Sequence, residues 1–315
     1  MKISKMSKSG LEVTELCYGT LTLGVLQANL PTEDGAKAIR KALELGVNFI
    51  DTAQRYDSYR HVGEALKGWK GDVIVASKSF EKTYDGMKNT VIEALQMMNI
   101  ERIGIFHLHL ITSKQDLQSR EGALKCLVDL RRDGVIGAIG VSAHSAEGVM
   151  AVVDCDDIDV VFPIVNMKGF GIVSGTLDDM LNAVKVAKSK GKDLYAMKPL
   201  GGGHFIRQIP EAISFIRSLG IFDSISVGMK TPDEVEMNVS IFEKGYVPEE
   251  IARKIKITKK RLIVYDSCKR CGNCEETCDQ GAIKVGEKKA VVDHEKCILC
   301  GYCASQCPVF ALRVI

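Results

Sequence analysis

The chain has 315 residues, 46% hydrophobic and 26% charged, with a formal net charge of +2. That is an ordinary globular mix, long enough for one large domain and a small one, and its balanced charge argues against a nucleic acid or a membrane as partner. No apolar run reaches the ~20 residues of a membrane span, and the opening MKISKMSKSGLEV lacks the apolar core of a signal peptide, so the expected compartment is the cytoplasm.

From the N-terminus, residues 2–13 are expected to form a hairpin that closes the floor of the larger domain. Short Val- and Ile-rich runs at 16–19, 47–51, 72–77, 103–109, 136–141, 160–165, 194–198 and 224–227 predict eight strands buried on both faces. Helical patterns separate them. The first covers 32–45 and stops at Gly46, a C-terminal glycine cap. The others cover 60–68, 85–98, 121–132, 146–154, 176–190, 210–219 and 231–242. Eight strands, each followed by a helix, predict an α/β fold of the (β/α)8 TIM-barrel type. The alternative is a doubly wound open sheet. It needs a GxGxxG turn after its first strand, and residues 19–24 read GTLTLG. Residues 249–260 predict a basic helical connector, which divides the chain into a barrel, 1–260, and a cysteine-rich segment, 261–315. Cys17, Cys126 and Cys155 stand alone in apolar stretches, as small buried hydrophobes do.

The cysteine-rich segment carries two copies of C-x2-C-x2-C-x3-C: Cys268, Cys271, Cys274 and Cys278, then Cys297, Cys300, Cys303 and Cys307. Three thiolates on a tight loop suit one cubic cluster. The fourth cysteine, on the next turn of chain, ligates the other cube in two-cluster arrangements. Cys268, Cys271, Cys274 and Cys307 are thus expected to hold one [4Fe–4S] cluster, and Cys297, Cys300, Cys303 and Cys278 a second. Zinc is the alternative, but its sites pair two C-x2-C motifs across a longer gap and close at four ligands. The flanks repeat as well, with GAIKV at 281–285 matching FALRV at 310–314. From about residue 262 onward the segment resembles a bacterial two-[4Fe–4S] ferredoxin, a small α+β fold. Asp279 stands where that family often has proline. Seven acidic and seven basic side chains over 262–315 leave it without the acidity that steers a basic partner.

In a barrel of this kind the chemistry sits at the C-terminal strand ends. Asp51 ends the second predicted strand, and Tyr56 comes five residues later in DTAQRY. Lys78 ends the third in VIVASKS, and His109 the fourth in FHLHL. Singly they read as a helix cap, a loop aromatic, a surface cation and a core histidine. Together they predict one mouth. Strand alternation is taken to put His107 on the opposite face, leaving His109 as the mouth histidine.

These residues, with SKSGLEVTELCYGT at 7–20, GVSAHS at 140–145 and VGMKTPDEVEMNV at 227–239, resemble the aldo-keto reductases over residues 2–245. The resemblance implies a reductase in which Tyr56 donates the proton, Lys78 lowers the phenol's pKa, Asp51 holds Lys78, and His109 orients the carbonyl oxygen. It implies NADP or NAD as cofactor. Gly19, Thr20, Asp51 and Ser142 would lie near the nicotinamide, and Lys198, Leu200 and Gly201 near the pyrophosphate. Gly228, Met229, Lys230 and Thr231 would meet the adenosine phosphate, and Asn238 the adenine. Ala143, Phe162, Met197 and Glu234 depart from the family's usual asparagine, glutamine, tyrosine and arginine. The chain as a whole resembles the subgroup with a C-terminal ferredoxin domain. A small carbonyl or alcohol is the implied substrate, and a redox protein the implied partner of the clusters.

Overall fold

The computed structural model describes residues 1–255, 260–309 and 311–314. Strands β1 (Ile3–Lys5) and β2 (Glu12–Thr14) form the expected antiparallel hairpin. Its turn is pinned to the barrel by one carboxylate, because Asp193 accepts the backbone N–H groups of Lys8 at 3.0 Å and Ser9 at 2.8 Å.

Eight parallel strands close a barrel: β3 (Leu16–Gly19), β4 (Phe49–Asp51), β5 (Ile74–Ser79), β6 (Ile103–Leu108), β7 (Ile136–Ala143), β8 (Val160–Pro163), β9 (Asp193–Ala196) and β10 (Ser224–Gly228), with β10 pairing back onto β3. Each overlaps one predicted run. Their side chains are buried on both faces, which is why the runs lack polar alternation. The helices α1 (Thr32–Glu44), α2 (Tyr59–Leu66), α3 (Tyr84–Met98), α4 (Lys114–Gln118), α5 (Glu121–Arg132), α6 (Ala146–Met150), α7 (Leu177–Ser189), α8 (Ile209–Ser218), α9 (Pro232–Lys244) and α10 (Glu249–Ala252) come in that order. Several begin at a side-chain cap: the hydroxyls of Thr83, Ser145, Thr176 and Thr231 each accept the N–H three residues on.

Two elements depart from expectation. Helix α4 has no counterpart among the predicted elements, because five residues are too few to show a helical period. The predicted connector over 249–260 is helical only in α10, and residues 256–259 lie outside the described residues.

The C-terminal part is built of much shorter pieces: β11 (Leu262–Val264), α11 (Asn273–Glu276), β12 (Ile283–Val285), β13 (Ala290–Val292), α12 (Tyr302–Ser305) and β14 (Leu312–Val314). β11 pairs with β14 and β12 with β13, both antiparallel. The internal repeat of the sequence is a repeat of backbone. Arg270 and Gly272 adopt left-handed conformations before α11, and Leu299 and Gly301 do the same before α12. Ala282 donates its N–H to Cys278 Sγ at 3.3 Å, and Ala311 to Cys307 Sγ at 3.2 Å. Phe310, part of the repeat seen in the sequence, lies outside the described residues. Among the described residues no helix is long and apolar enough to cross a membrane.

Candidate active site

The barrel register explains how the first two polar groups meet. Asp51, last in β4, is aligned with Ala76 of β5. Lys78 lies two residues further on the same face. Its ammonium reaches back to donate to both Asp51 carboxylate oxygens at 2.7 Å and to the Thr52 carbonyl at 2.8 Å. An ammonium has three donors, and all three are used. Burial pushes the Asp51 carboxyl up and the Lys78 amine down, and each partner opposes the shift of the other.

Tyr56 ends a short 3-10 turn, Gln54–Tyr56, at the mouth. Its backbone is pressed by the loop after β3. A Cβ on Gly24 would come within 1.6 Å of the Tyr56 carbonyl oxygen, so only glycine fits there. The Lys78 ammonium lies 5.0 Å from the Tyr56 ring centroid, over its face. The family resemblance implies that Lys78 lowers the Tyr56 pKa. In the structure the phenol is pushed well up, by burial first and then by Tyr302 and Asp51. The physical reason is that burial disfavours the charged phenolate, and the neighbouring Tyr302 and Asp51 add to that penalty.

His109 comes directly after β6. Its ring stacks on Phe80 at 4.1 Å and meets the Tyr56 ring edge-on at 6.2 Å. Burial, then Lys78, holds its imidazole well below the usual histidine pKa, so the ring is neutral. Helix α4 matters here. Asp116 pairs with Arg120 at 3.0 Å, and Arg120 donates to the His109 carbonyl at 2.8 Å.

The placement of His107 is corrected. Strand periodicity is two, so residues 107 and 109 share a face, and both point inward. His107 shares a 2.8 Å hydrogen bond with the hydroxyl of Tyr195, which donates to Asp51 at 3.1 Å. Space for the His107 ring comes from Gly140 on β7, where a Cβ would fall 2.1 Å from Nδ1. Tyr195 and His107 thus form the layer beneath Asp51.

A cleft of about 210 Å³ opens beside Asp51 and Tyr56. Of the residues expected to bind a cofactor, Gly19, Asp51, Lys198, Leu200, Gly228, Lys230 and Asn238 line it. Thr20, Ser142, Gly201, Met229 and Thr231 do not. Thr20 bonds Ser58 at 2.8 Å, Ser142 accepts the Leu110 N–H at 2.8 Å, and Thr231 caps α9. The Met229 carbonyl accepts from the Tyr18 hydroxyl at 2.6 Å, and Gly201 packs on Phe205. Sequence reasoning missed Gln27, Lys260 and Ile298, which also line the cleft. They come from distant parts of the chain, and no local pattern marks them. Glu234 turns its carboxylate to the Lys230 N–H at 2.6 Å, and the Lys230 ammonium stands 3.8 Å from it. Lys260 donates to Gln27 at 2.8 Å.

The eight C-terminal cysteines gather in two places. Cys278, Cys297, Cys300 and Cys303 line one small cavity, and Cys268, Cys271, Cys274 and Cys307 line another. Among the described residues no three His, Cys, Asp or Glu side chains gather tightly enough to hold a single metal ion. The first cavity adjoins the barrel mouth. Tyr302, between Cys300 and Cys303, shares a 3.2 Å hydrogen bond with His109 Nε2 and packs with Leu26, Ala53 and Tyr56.

The fold agrees with the protein's relatives. The aldo/keto reductase family model matches residues 15–214, and the 4Fe-4S binding domain matches residues 290–313. The chain is similar to L-galactose dehydrogenase from Arabidopsis thaliana, 25% identical over 67% of this chain and 69% of that one. It is 28% identical to methylglyoxal reductase DkgA from Escherichia coli over 42% of this chain and 48% of the relative, so it spans about half the length of that protein. Among solved structures, aldo-keto reductase AKR11C1 from Bacillus halodurans superposes with a TM-score of 0.65 at 19% identity, covering 82% of this chain and 97% of that one, a likeness of fold. Most of the barrel lies within the matched span, and the chain belongs to the aldo/keto reductase family of oxidoreductases, with a 4Fe-4S binding domain at its C-terminal side.

Proposed function

We propose that the protein interconverts a small carbonyl compound and its alcohol with NADP or NAD as cofactor, and that two [4Fe–4S] clusters exchange electrons with a redox protein partner. The division of labour runs along the chain: residues 1–260 form the catalytic barrel and 261–315 the two-cluster domain, in a cytoplasmic protein. The observation that carries the reading is the convergence of Asp51, Lys78, Tyr56 and His109 at one mouth beside the cleft.

The residues fit a nicotinamide dinucleotide. Asn238 Oδ1 is buried without a partner among the described residues and belongs to a residue lining the cleft, where an exocyclic amino group would satisfy it. Lys198, Lys230 and Lys260 line the same cleft and supply cations for phosphates. When bound, the cofactor supplies the hydride. Tyr56 gives its phenolic proton to the carbonyl oxygen, and the neutral His109 ring holds that oxygen in place. Asp51 and the Thr52 carbonyl fix the Lys78 ammonium in place, 5.0 Å from the Tyr56 ring centroid. The cysteines fit iron–sulfur clusters. Four thiols face each cavity, and the backbone N–H groups of Ala282 and Ala311 point at sulfur, as expected where thiolate charge is to be held. Such clusters supply one-electron transfer.

Replacing Tyr56 by phenylalanine keeps the ring and removes the acid. Carbonyl reduction is expected to fall by about 10²–10⁴-fold, with cofactor binding retained. Full activity in Tyr56→Phe would refute the assignment. A second reading is an electron-transfer or redox-sensing protein on a catalytically weak barrel. The covered mouth favours it, since Tyr302 sits on His109. NADPH binding, with bleaching of the cluster absorbance on its addition, supports electron exchange. Failure to bind either cofactor supports the second reading.

A further inference from the structure

Tyr302 is held where it is by backbone, not by its own side chain alone. The loop that carries it lies against the barrel at four points. Gln27 donates to the Leu299 carbonyl at 2.9 Å, and His204 shares a 3.0 Å hydrogen bond with the Cys297 carbonyl. A Cβ on Gly301 would fall 1.9 Å from the Leu26 carbonyl oxygen, and one on Gly202 would fall 2.1 Å from that of Ile298. These contacts fix residues 297–301, the stretch that leads into the phenol. The Tyr302 ring then enters the mouth against Leu26, Ala53 and Tyr56, with the Arg55 guanidinium 5.7 Å from its centroid. Its hydroxyl stops 3.2 Å from His109 Nε2. Tyr56 lines the open cleft, and neither His109 nor Tyr302 does. The space in front of the His109 ring is therefore filled by Phe80 and by this phenol.

We propose that Tyr302 is the specificity-determining residue of the barrel, its hydroxyl standing where a substrate's carbonyl oxygen binds, so that a carbonyl enters only by displacing it. This rests on the reductase reading of Tyr56 and His109. A phenol and a carbonyl share the needed chemistry: each presents an oxygen to an imidazole nitrogen, with an apolar body behind it. The consequence is poor affinity for simple aldehydes in the intact protein. Because Tyr302 stands between two cysteines of one cradle, whatever moves that loop also opens or closes the site.

The test uses the full chain, prepared anaerobically with its iron. Tyr302→Ala leaves a ring-sized space that free phenol should fill. Phenol is expected to bind Tyr302→Ala at least about tenfold more tightly than the unaltered protein, measured by calorimetry, and to compete with an aromatic aldehyde there. Adding His109→Ala to that variant should weaken phenol binding again. The KM for the aldehyde should fall in Tyr302→Ala, with kcat changed less. Should Tyr302→Ala lose its iron, Tyr302→Phe decides: it keeps the ring packing, and its KM should still drop because His109 is released. Phenol binding no tighter than in the unaltered protein, or indifferent to His109, overturns the proposal, as does an unchanged KM in Tyr302→Phe. Phenol binding that depends on His109 without turnover in any variant supports the placement of Tyr302 and counts against the reductase reading. Turnover that fails only in Tyr56→Phe, with no phenol site in Tyr302→Ala, overturns this inference and leaves that reading standing.

Discussion

The barrel and the cysteine-rich segment solve the same packing problem with different materials. The barrel buries a continuous apolar cluster that runs from Met6 to Phe242, on helices as long as the fifteen residues of α3. The C-terminal segment has strands of three residues and helices of four. Its core mixes Leu262, Val264, Ile283 and Leu312 with Cys274, Cys297, Cys303 and Cys307. Domains of about 50 residues bury too little surface to be stable with ease, and many lean on metals or disulfides. Four of the segment's eight cysteines occupy core positions, so a cluster bound there contributes directly to its folding. The contrast separates a fold that stands on side chains from one that stands on its ligands.

Removing the iron should break the comparison most sharply. With a chelator and mild oxidant, amide-exchange protection over 262–314 is expected to collapse while the barrel strands keep theirs. Equal loss in both parts would erase the distinction. Next in size is Asp51→Ala, which leaves Lys78 buried without its partner. Barrel stability should drop by about 3–5 kcal/mol in denaturant melts, with little change in iron content. A smaller effect is expected where the two parts meet. Burial, then Lys230, brings the Lys260 amine down to about 8. Below that pH it is an ammonium that attracts phosphate; above it the charge is gone. NADP should bind most tightly below pH ~8 and lose up to about tenfold per unit above it, and Lys260→Gln should flatten that profile. Smallest of all is Asp266→Ala. It removes an exposed pair with Lys289, 2.8 Å apart, and should leave the melting of both parts unchanged.

Much of the barrel is legible in the sequence because strands buried on both faces write themselves as Val- and Ile-rich runs. Asp51, Tyr56, Lys78 and His109 are legible because strand ends are fixed points of the fold. The layer around them is not. Tyr195 and His107 look like ordinary strand residues, and their hydrogen bond joins positions 88 apart. Tyr302 lies 193 residues from His109 and carries no signal beyond its place in a cysteine loop. The sequence also suggests that Lys78 acts on the Tyr56 hydroxyl. It cannot display that three nearer oxygen acceptors saturate that ammonium.

Gly202 and Gly301 lie on opposite sides of the contact between the two parts, and each has a positive φ, at 70° and 80°. Each is blocked from carrying a side chain by a carbonyl of the other part. Each position is thus constrained twice, by its own backbone angle and by the carbonyl across the contact. A lineage that discards the cysteine loop releases Gly202 from the demand for open space, and only its backbone angle still favours glycine. The docking therefore adds to both positions a demand for open space that the backbone angle alone does not make.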